Sequence, residues 1–143
     1  MRVLVTGGAG FIGSSLVHAL LDQHDVGVID DLSAGRVENI HPAAWFRKLD
    51  ITGDLFSDAV EEFRPDAVVH LAAQASVAAS IRDPEFDWLV NVDGTRALLA
   101  ACAQAGVRRF LHVSSIAVKF PEKKYYPYAR CKEEGEALVR ASG

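Results

Sequence analysis

Near its amino end the chain reads Val3-Leu4-Val5-Thr6-Gly7-Gly8-Ala9-Gly10-Phe11-Ile12-Gly13, and few folds accept such a stretch. The valine-rich run predicts a buried strand over 2–6, because short apolar runs rich in β-branched residues suit a covered sheet. Apolar residues then resume at helical spacing (Phe11, Ile12, Leu16, Val17, Leu20, Leu21), predicting a helix over 11–22. Gly7, Gly10 and Gly13 therefore fall at a strand-to-helix turn. In a dinucleotide site one glycine makes the tight turn, one lets backbone amides reach a pyrophosphate, and one lets helix pack close to strand. The free amides and positive dipole end of the new helix favour that anion. Spaced glycines alone also describe an ordinary turn, so a second feature has to decide.

That feature is Val26-Gly27-Val28-Ile29, a second predicted strand over 26–30, ending in Asp30-Asp31 at 23 residues from Gly7. A carboxylate near this offset accepts hydrogen bonds from the adenosine ribose hydroxyls and repels a ribose phosphate. NAD is thereby favoured over NADP. No arginine directly follows the strand end; Arg36 lies further on.

The 143 residues suit about one domain, and half are hydrophobic with 24% charged, as in a soluble globular chain. A net charge of −4 with no basic stripe argues against nucleic acid as a partner. No apolar run reaches membrane-spanning length, and the chain enters a strand at once, so neither a membrane span nor a signal peptide is expected. Cys102 and Cys131 form no metal or redox spacing, and a reducing, cytoplasmic setting is expected. His18, His24, His41 and His112 show no ligand spacing, so no metal site is expected. His70 ends a strand in a position read as structural.

Strand and helix signals go on alternating. Further strands are predicted over 45–49, 67–71 and 109–114 and helices over 55–63, 85–105 and 127–141. Thr52 or Asp54 is the expected cap of helix 55–63. Residues 72–80 read as a loop or short helical turn. Strands joined by helices imply right-handed crossovers and an α/β architecture, a doubly wound parallel sheet with helices on both faces. Ligands in such sheets bind beyond the carboxyl ends of the strands.

Beyond the fifth strand come Ser114-Ser115, then Tyr128 and Lys132. Residues four apart share a helix face, and a lysine ammonium beside a phenol stabilises the phenolate. With a strand-end serine to hold the substrate oxygen, the pair can take a proton from an alcohol while a nicotinamide takes the hydride. Alone, such a pair is more often an ordinary surface feature.

At this point the chain resembles the extended short-chain dehydrogenase/reductase family, in its NAD-dependent sugar-nucleotide epimerase/dehydratase branch. The resemblance rests on the glycine turn, Val28-Ile29-Asp30-Asp31-Leu32-Ser33, Leu49-Asp50-Ile51, His70-Leu71-Ala72-Ala73-Gln74, Asn91-Val92-Asp93-Gly94-Thr95, Val113-Ser114-Ser115 and Pro127-Tyr128 to Lys132. It implies a Rossmann-type fold and these roles. Gly7, Gly10, Phe11 and Ile12 line the pyrophosphate; Asp30 holds the adenosine ribose with Asp31, Leu32, Ser33 and Gly35 nearby; Asp50 and Ile51 edge the adenine. Leu71, Ala72, Ala73 and Gln74 pass beside the second ribose and nicotinamide. Tyr128 is the catalytic acid/base, Lys132 its phenolate-stabilising and ribose-binding partner, and Ser115 orients the sugar oxygen. Asn91 has a structural place behind the cofactor.

Three departures bear on function. Ile116-Ala117 stand where dehydratases and decarboxylases of the family carry an acidic residue, which favours epimerisation or simple reduction. The interval from Ser115 to Tyr128 is 13 residues, shorter than in sugar-nucleotide epimerases, and it shortens a segment that lines the substrate pocket. Residues 1–143 are expected to be the NAD-binding domain, with the smaller substrate domain of the family absent from them. The reading is an NAD-dependent nucleotide-sugar epimerase of the UDP-glucose/UDP-galactose 4-epimerase kind, with a UDP-sugar as the favoured substrate. An NAD(P)-dependent reductase and a non-catalytic NAD-binding module stay open beside it. A homodimer through helices 85–105 and 127–141 is implied by the resemblance, against ordinary core packing. Lys119, Lys123 and Lys124 are divided between a solvated loop, which is favoured, and a contact to substrate phosphate.

Overall fold

The structure, a computed structural model, describes residues 1–120 and 126–143; Lys123 and Lys124 lie outside them. Five parallel strands form one sheet in the order β3-β2-β1-β4-β5, with β1 Arg2–Thr6, β2 Asp25–Asp30, β3 Trp45–Lys48, β4 Ala67–His70 and β5 Arg109–His112. The helices are α1 Phe11–Leu21, α2 Phe56–Phe63, α3 Val77–Arg82, α4 Pro84–Trp88, α5 Gly94–Gln104 and α6 Pro127–Ala141. The expected doubly wound sheet is what forms.

The period of two along the strands sorts the core into two layers. Leu4, Ile29 and Val68 turn to one face, where Phe56, Val60 and Phe63 of α2 and Leu98 of α5 cover them. Val3, Val5, Val26 and Val28 turn to the other, against Val17 and Leu20 of α1. In register, Thr6 stands opposite Ile29 on one side and His70 on the other, and His70 opposite His112. The carboxyl ends of the strands thus form a common rim, and strand order reverses between β1 and β4. That is the crevice where such sheets hold ligands.

Most element bounds fall within a residue of the sequence reading, and the structure changes or sharpens it at the following points. The expected helix 85–105 is α4, a π-helical turn over Leu89–Asp93, and α5. Its buried residues, among them Asp87, Asn91, Thr95, Leu98 and Cys102, recur every three or four positions as one stripe, while Phe86, Trp88 and Leu89 remain exposed. The fifth strand stops at His112, two residues short of Ser114. Neither Thr52 nor Asp54 caps α2, which begins after Leu55 without a side-chain cap; Thr52 instead donates its hydroxyl to Asp50 Oδ1 at 2.8 Å. Residues 72–76 are loop, and Ser76 caps α3 by accepting from the Ala79 amide at 3.2 Å. No helix among the described residues is long and apolar enough to cross a membrane.

Candidate functional site

The glycine turn is built by close approach. Gly7 has φ +74°, and a Cβ there would lie 2.7 Å from the Ala72 amide nitrogen. A Cβ on Gly13 would lie 2.2 Å from the Gly7 carbonyl oxygen. These two contacts press the turn against the loop after β4 and the helix against the turn. Gly10 differs, meeting only the Gly7 oxygen at 3.4 Å. Gly10 precedes α1 with no side-chain cap, and the first turn carries no acidic residue. Opening amides of a helix have no intrahelical acceptor, so this end is a positively polarised seat for an anion. Phe11 is 91% and Ile12 60% exposed beside it, apolar surface that a ligand in the seat covers.

Asp30 is buried at the end of β2. Its Oδ2 accepts from the Ala9 amide at 2.9 Å and its Oδ1 from the Leu32 amide at 2.8 Å. The carboxylate therefore ties the glycine turn to the loop after β2. Leu32 takes a left-handed φ of 63°, while Asp31 Oδ1 accepts from the amide and hydroxyl of Ser33. Gly35 fits against Ala9, whose methyl would lie 2.7 Å from an added Cβ. Asn39, unremarked in the sequence reading, donates Nδ2 to the Ala9 carbonyl at 2.8 Å. Asp50 is exposed at the third strand end, and Ile51 is buried with its side chain against Gly94.

Leu71, Ala72, Ala73 and Gln74 form the half-buried loop after β4. Asn91, in the π-turn, clasps it: Nδ2 donates to the Gln74 carbonyl at 2.9 Å and Oδ1 accepts from the Gln74 amide at 3.1 Å. Such single π-turns often mark functional sites, and here the extra residue sets Asn91 against the loop. Buried His70 bridges Thr6 and Thr95, and burial holds its imidazole well below its ordinary pKa.

The second constellation sits on the segment after β5 and on α6. Ser114 donates its hydroxyl to Glu136 Oε1 at 2.6 Å and is thereby engaged. Ser115 Oγ accepts from the Ala117 amide at 3.2 Å, which leaves its proton free to donate. Lys132 is 6% exposed and donates Nζ to the Val113 carbonyl at 3.3 Å, tying α6 to the segment that carries Ser115. Burial lowers its pKa to about 8. Tyr128 is half-buried one helical turn before it. Burial pushes the thiols of Cys102 and Cys131 up to about 12, so neither is a nucleophile at neutral pH. Among the described residues no group of three His, Cys, Asp or Glu side chains is placed to hold a metal.

A dinucleotide fits what is present: an uncapped helix end behind a turn that added Cβ atoms would block, and a buried carboxylate one strand over. Residues 3–143 match the family model described as the NAD dependent epimerase/dehydratase family. The chain belongs to that family. Within it, the chain is 48% identical over 149 residues to a UDP-glucose 4-epimerase of Mycolicibacterium smegmatis, covering 100% of this chain and 48% of that protein. It is 39% identical over 163 residues to a dTDP-glucose 4,6-dehydratase of Mycobacterium tuberculosis, covering 99% and 48%. The crystal structure of Thermus thermophilus UDP-glucose 4-epimerase in complex with NAD superposes with a TM-score of 0.91 at 40% identity, covering 100% of this chain and 51% of that one. The chain spans about half the length of the family members it matches.

Proposed function

We propose that this chain is the NAD-binding half of a nucleotide-sugar 4-epimerase of the UDP-glucose 4-epimerase kind. The observation that supports the reading is the Lys132–Val113 bond, which ties a tyrosine–lysine helix to the segment after β5 that carries Ser115, at the rim that also bears the glycine turn. Gly7, Gly10, Phe11 and Ile12 receive the pyrophosphate. Asp30 takes the adenosine ribose with Asp31, Leu32, Ser33 and Gly35 around it, and Asp50 and Ile51 edge the adenine. Leu71, Ala72, Ala73 and Gln74 run beside the nicotinamide half. NAD, when bound, would supply a hydride acceptor that can also serve as donor. Ser115 donates its free proton to the sugar oxygen and orients it. Tyr128 accepts the proton of the sugar 4-hydroxyl and returns it to that oxygen after the 4-keto sugar has turned its other face to the cofactor. The Lys132 ammonium stabilises the phenolate between those steps.

Ile116, 72% exposed, and half-buried Ala117 follow Ser115, and neither can act as acid or base. This supports epimerisation over the elimination that a dehydratase performs. Exposed Phe86, Trp88 and Leu89 support a homodimer through α4, α5 and α6. The test is turnover of UDP-galactose to UDP-glucose by the purified protein, with the cofactor released on denaturation identified. Interconversion without net NADH consumption is expected, with a loss of about a hundredfold or more in Tyr128→Phe. Net consumption of NADH with a ketone, or NAD binding with no tyrosine-dependent turnover, sinks the epimerase reading.

A further inference from the structure

Asp87, on α4, has no exposed surface. Its Oδ1 accepts from Gln74 Nε2 at 2.8 Å and from Asn91 Nδ2 at 2.9 Å. Its Oδ2 has no regular hydrogen-bond partner among the described residues; the Cys131 thiol, a weak donor, points at the carboxylate from α6. A buried carboxylate with an open oxygen is unfavourable unless a cation compensates it. Among the described residues the buried cation on a packed neighbour is Lys132, on α6, which packs against α4 and acts on Asp87 through space without a direct ion pair. Lys132 has the complementary deficit. It is buried, and its bond to the Val113 carbonyl is long for an ammonium.

We propose that Asp87 is the buried counter-charge of Lys132, a positioning residue that favours the lysine ammonium behind Tyr128 and, with its bonded oxygen, fixes Gln74 and Asn91. The proposal rests on the catalytic reading of Lys132 and extends it to a residue outside the Ser115, Tyr128 and Lys132 set. The groups facing Lys132 from each packed element single Asp87 out. Cys131 and, one turn back, Tyr128 lie on α6, His112 on β5, His70 on β4 and Asp87 on α4. Burial keeps both imidazoles and the thiol neutral near pH 7. The carboxylate is then the anion facing the ammonium. Each charge favours the other: Asp87 raises Lys132 against the burial that lowers it, and Lys132 lowers Asp87 against the burial that raises it. The same carboxylate oxygen receives the amides of Gln74 and Asn91, so one charge registers both the lysine and the loop expected beside the nicotinamide.

The experiment is a ¹³Cε-lysine NMR titration of Lys132 in the purified protein and in Asp87→Asn, with NAD binding by calorimetry and turnover measured alongside. Asparagine keeps the volume and the acceptor for Gln74 and Asn91 but removes the charge. The Lys132 midpoint is expected near 8 and about one pH unit lower in the variant. A folded variant in which the midpoint does not move overturns the pairing. If Asp87→Asn fails to fold, the ¹³Cγ resonance of Asp87 in the unsubstituted protein decides. A step at the pH where Lys132 titrates supports the pair, and a flat resonance there overturns it. Because the titration needs no turnover, the two ideas fail separately. A coupled pair in an inactive protein sinks the epimerase reading alone, and an active protein with uncoupled groups sinks the pairing alone.

Discussion

Thr6 Oγ1 and His70 Nδ1 stand 2.7 Å apart in the core, joining β1 and β4 where the sheet meets its ligand crevice. The surrounding bonds settle who donates. Thr95 gives its hydroxyl proton to the Asn91 carbonyl at 2.8 Å, so at 3.0 Å from His70 Nε2 it can only accept. His70 is therefore protonated on Nε2, and Nδ1 accepts the proton of Thr6, whose oxygen in turn takes the Ala72 amide at 3.3 Å. One direction of donation runs from the loop after β4, through the residue before Gly7, to the π-turn.

The first prediction is that ¹⁵N NMR of His70 shows the neutral Nε2–H tautomer at all pH values where the protein is folded. His70→Leu, which leaves two buried hydroxyls short of a partner, is expected to cost about 2–4 kcal/mol in urea denaturation. An Nδ1–H or imidazolium signal at neutral pH sinks the assignment.

The glycines of the turn separate into two kinds by what an added methyl meets. At Gly13 it meets the Gly7 and Gly8 backbone, at 2.2 and 2.7 Å, which cannot swing aside as a side chain can. Gly13→Ala should lose about 3 kcal/mol of stability. At Gly10 it meets only the Gly7 oxygen at 3.4 Å. Gly10→Ala should melt like the parent yet bind NAD at least about tenfold more weakly, the equivalent of 1.4 kcal/mol. Unchanged affinity in Gly10→Ala would place the pyrophosphate elsewhere.

Much of this architecture was legible because local signals agreed with the global one. Val3, Leu4 and Val5 alternate between two buried layers, and Pro127 opens α6 at the position where a missing amide proton does no harm. What stayed hidden depends on partners distant in sequence. Asp87 looks like any solvated helix acid until α6 covers it, and nothing in Leu89–Asp93 announces a turn of five residues. Two bonds explain why β5 ends early. The Val113 amide still reaches the His70 carbonyl at 3.2 Å, but its own carbonyl is turned to Lys132.

Stability should depend on pH through groups buried in their neutral form. His112 has both ring nitrogens buried without a partner among the described residues, and burial lowers its pKa from 6.5 to about 4. The unfolded chain takes up that proton first, so stability falls as pH drops from 6.5 toward 4, by up to about 3 kcal/mol. Lys132, lowered from 10.5 to about 8, acts in the same sense higher up: stability rises as pH passes 8. The two thiols, raised from 9.0 to about 12, oppose it, because the unfolded chain sheds those protons first above 9. Chemical denaturation across pH should therefore show a rise from 4 to 6.5, a second rise above 8, and a maximum close to about pH 9. A maximum at or below pH 6 would mean that these groups are solvated.

Asp30 offers the sharpest test of the cofactor site, because its two oxygens already serve the fold. Each accepts one backbone amide, from Ala9 and from Leu32, and each keeps a lone pair for a ribose hydroxyl. Asp30→Asn turns one oxygen into an NH₂ group facing an N–H donor, whichever way the amide is flipped. The variant should lose about 1–3 kcal/mol of stability and bind NAD at least about tenfold more weakly. Removing the negative charge should also narrow the preference for NAD over NADP, since the repulsion of a ribose phosphate goes with it. Calorimetry with both dinucleotides on the folded fraction reads each effect. If NAD affinity and the NAD/NADP ratio both survive while stability falls, Asp30 is a clamp between the glycine turn and Leu32, and the ribose is held by other groups.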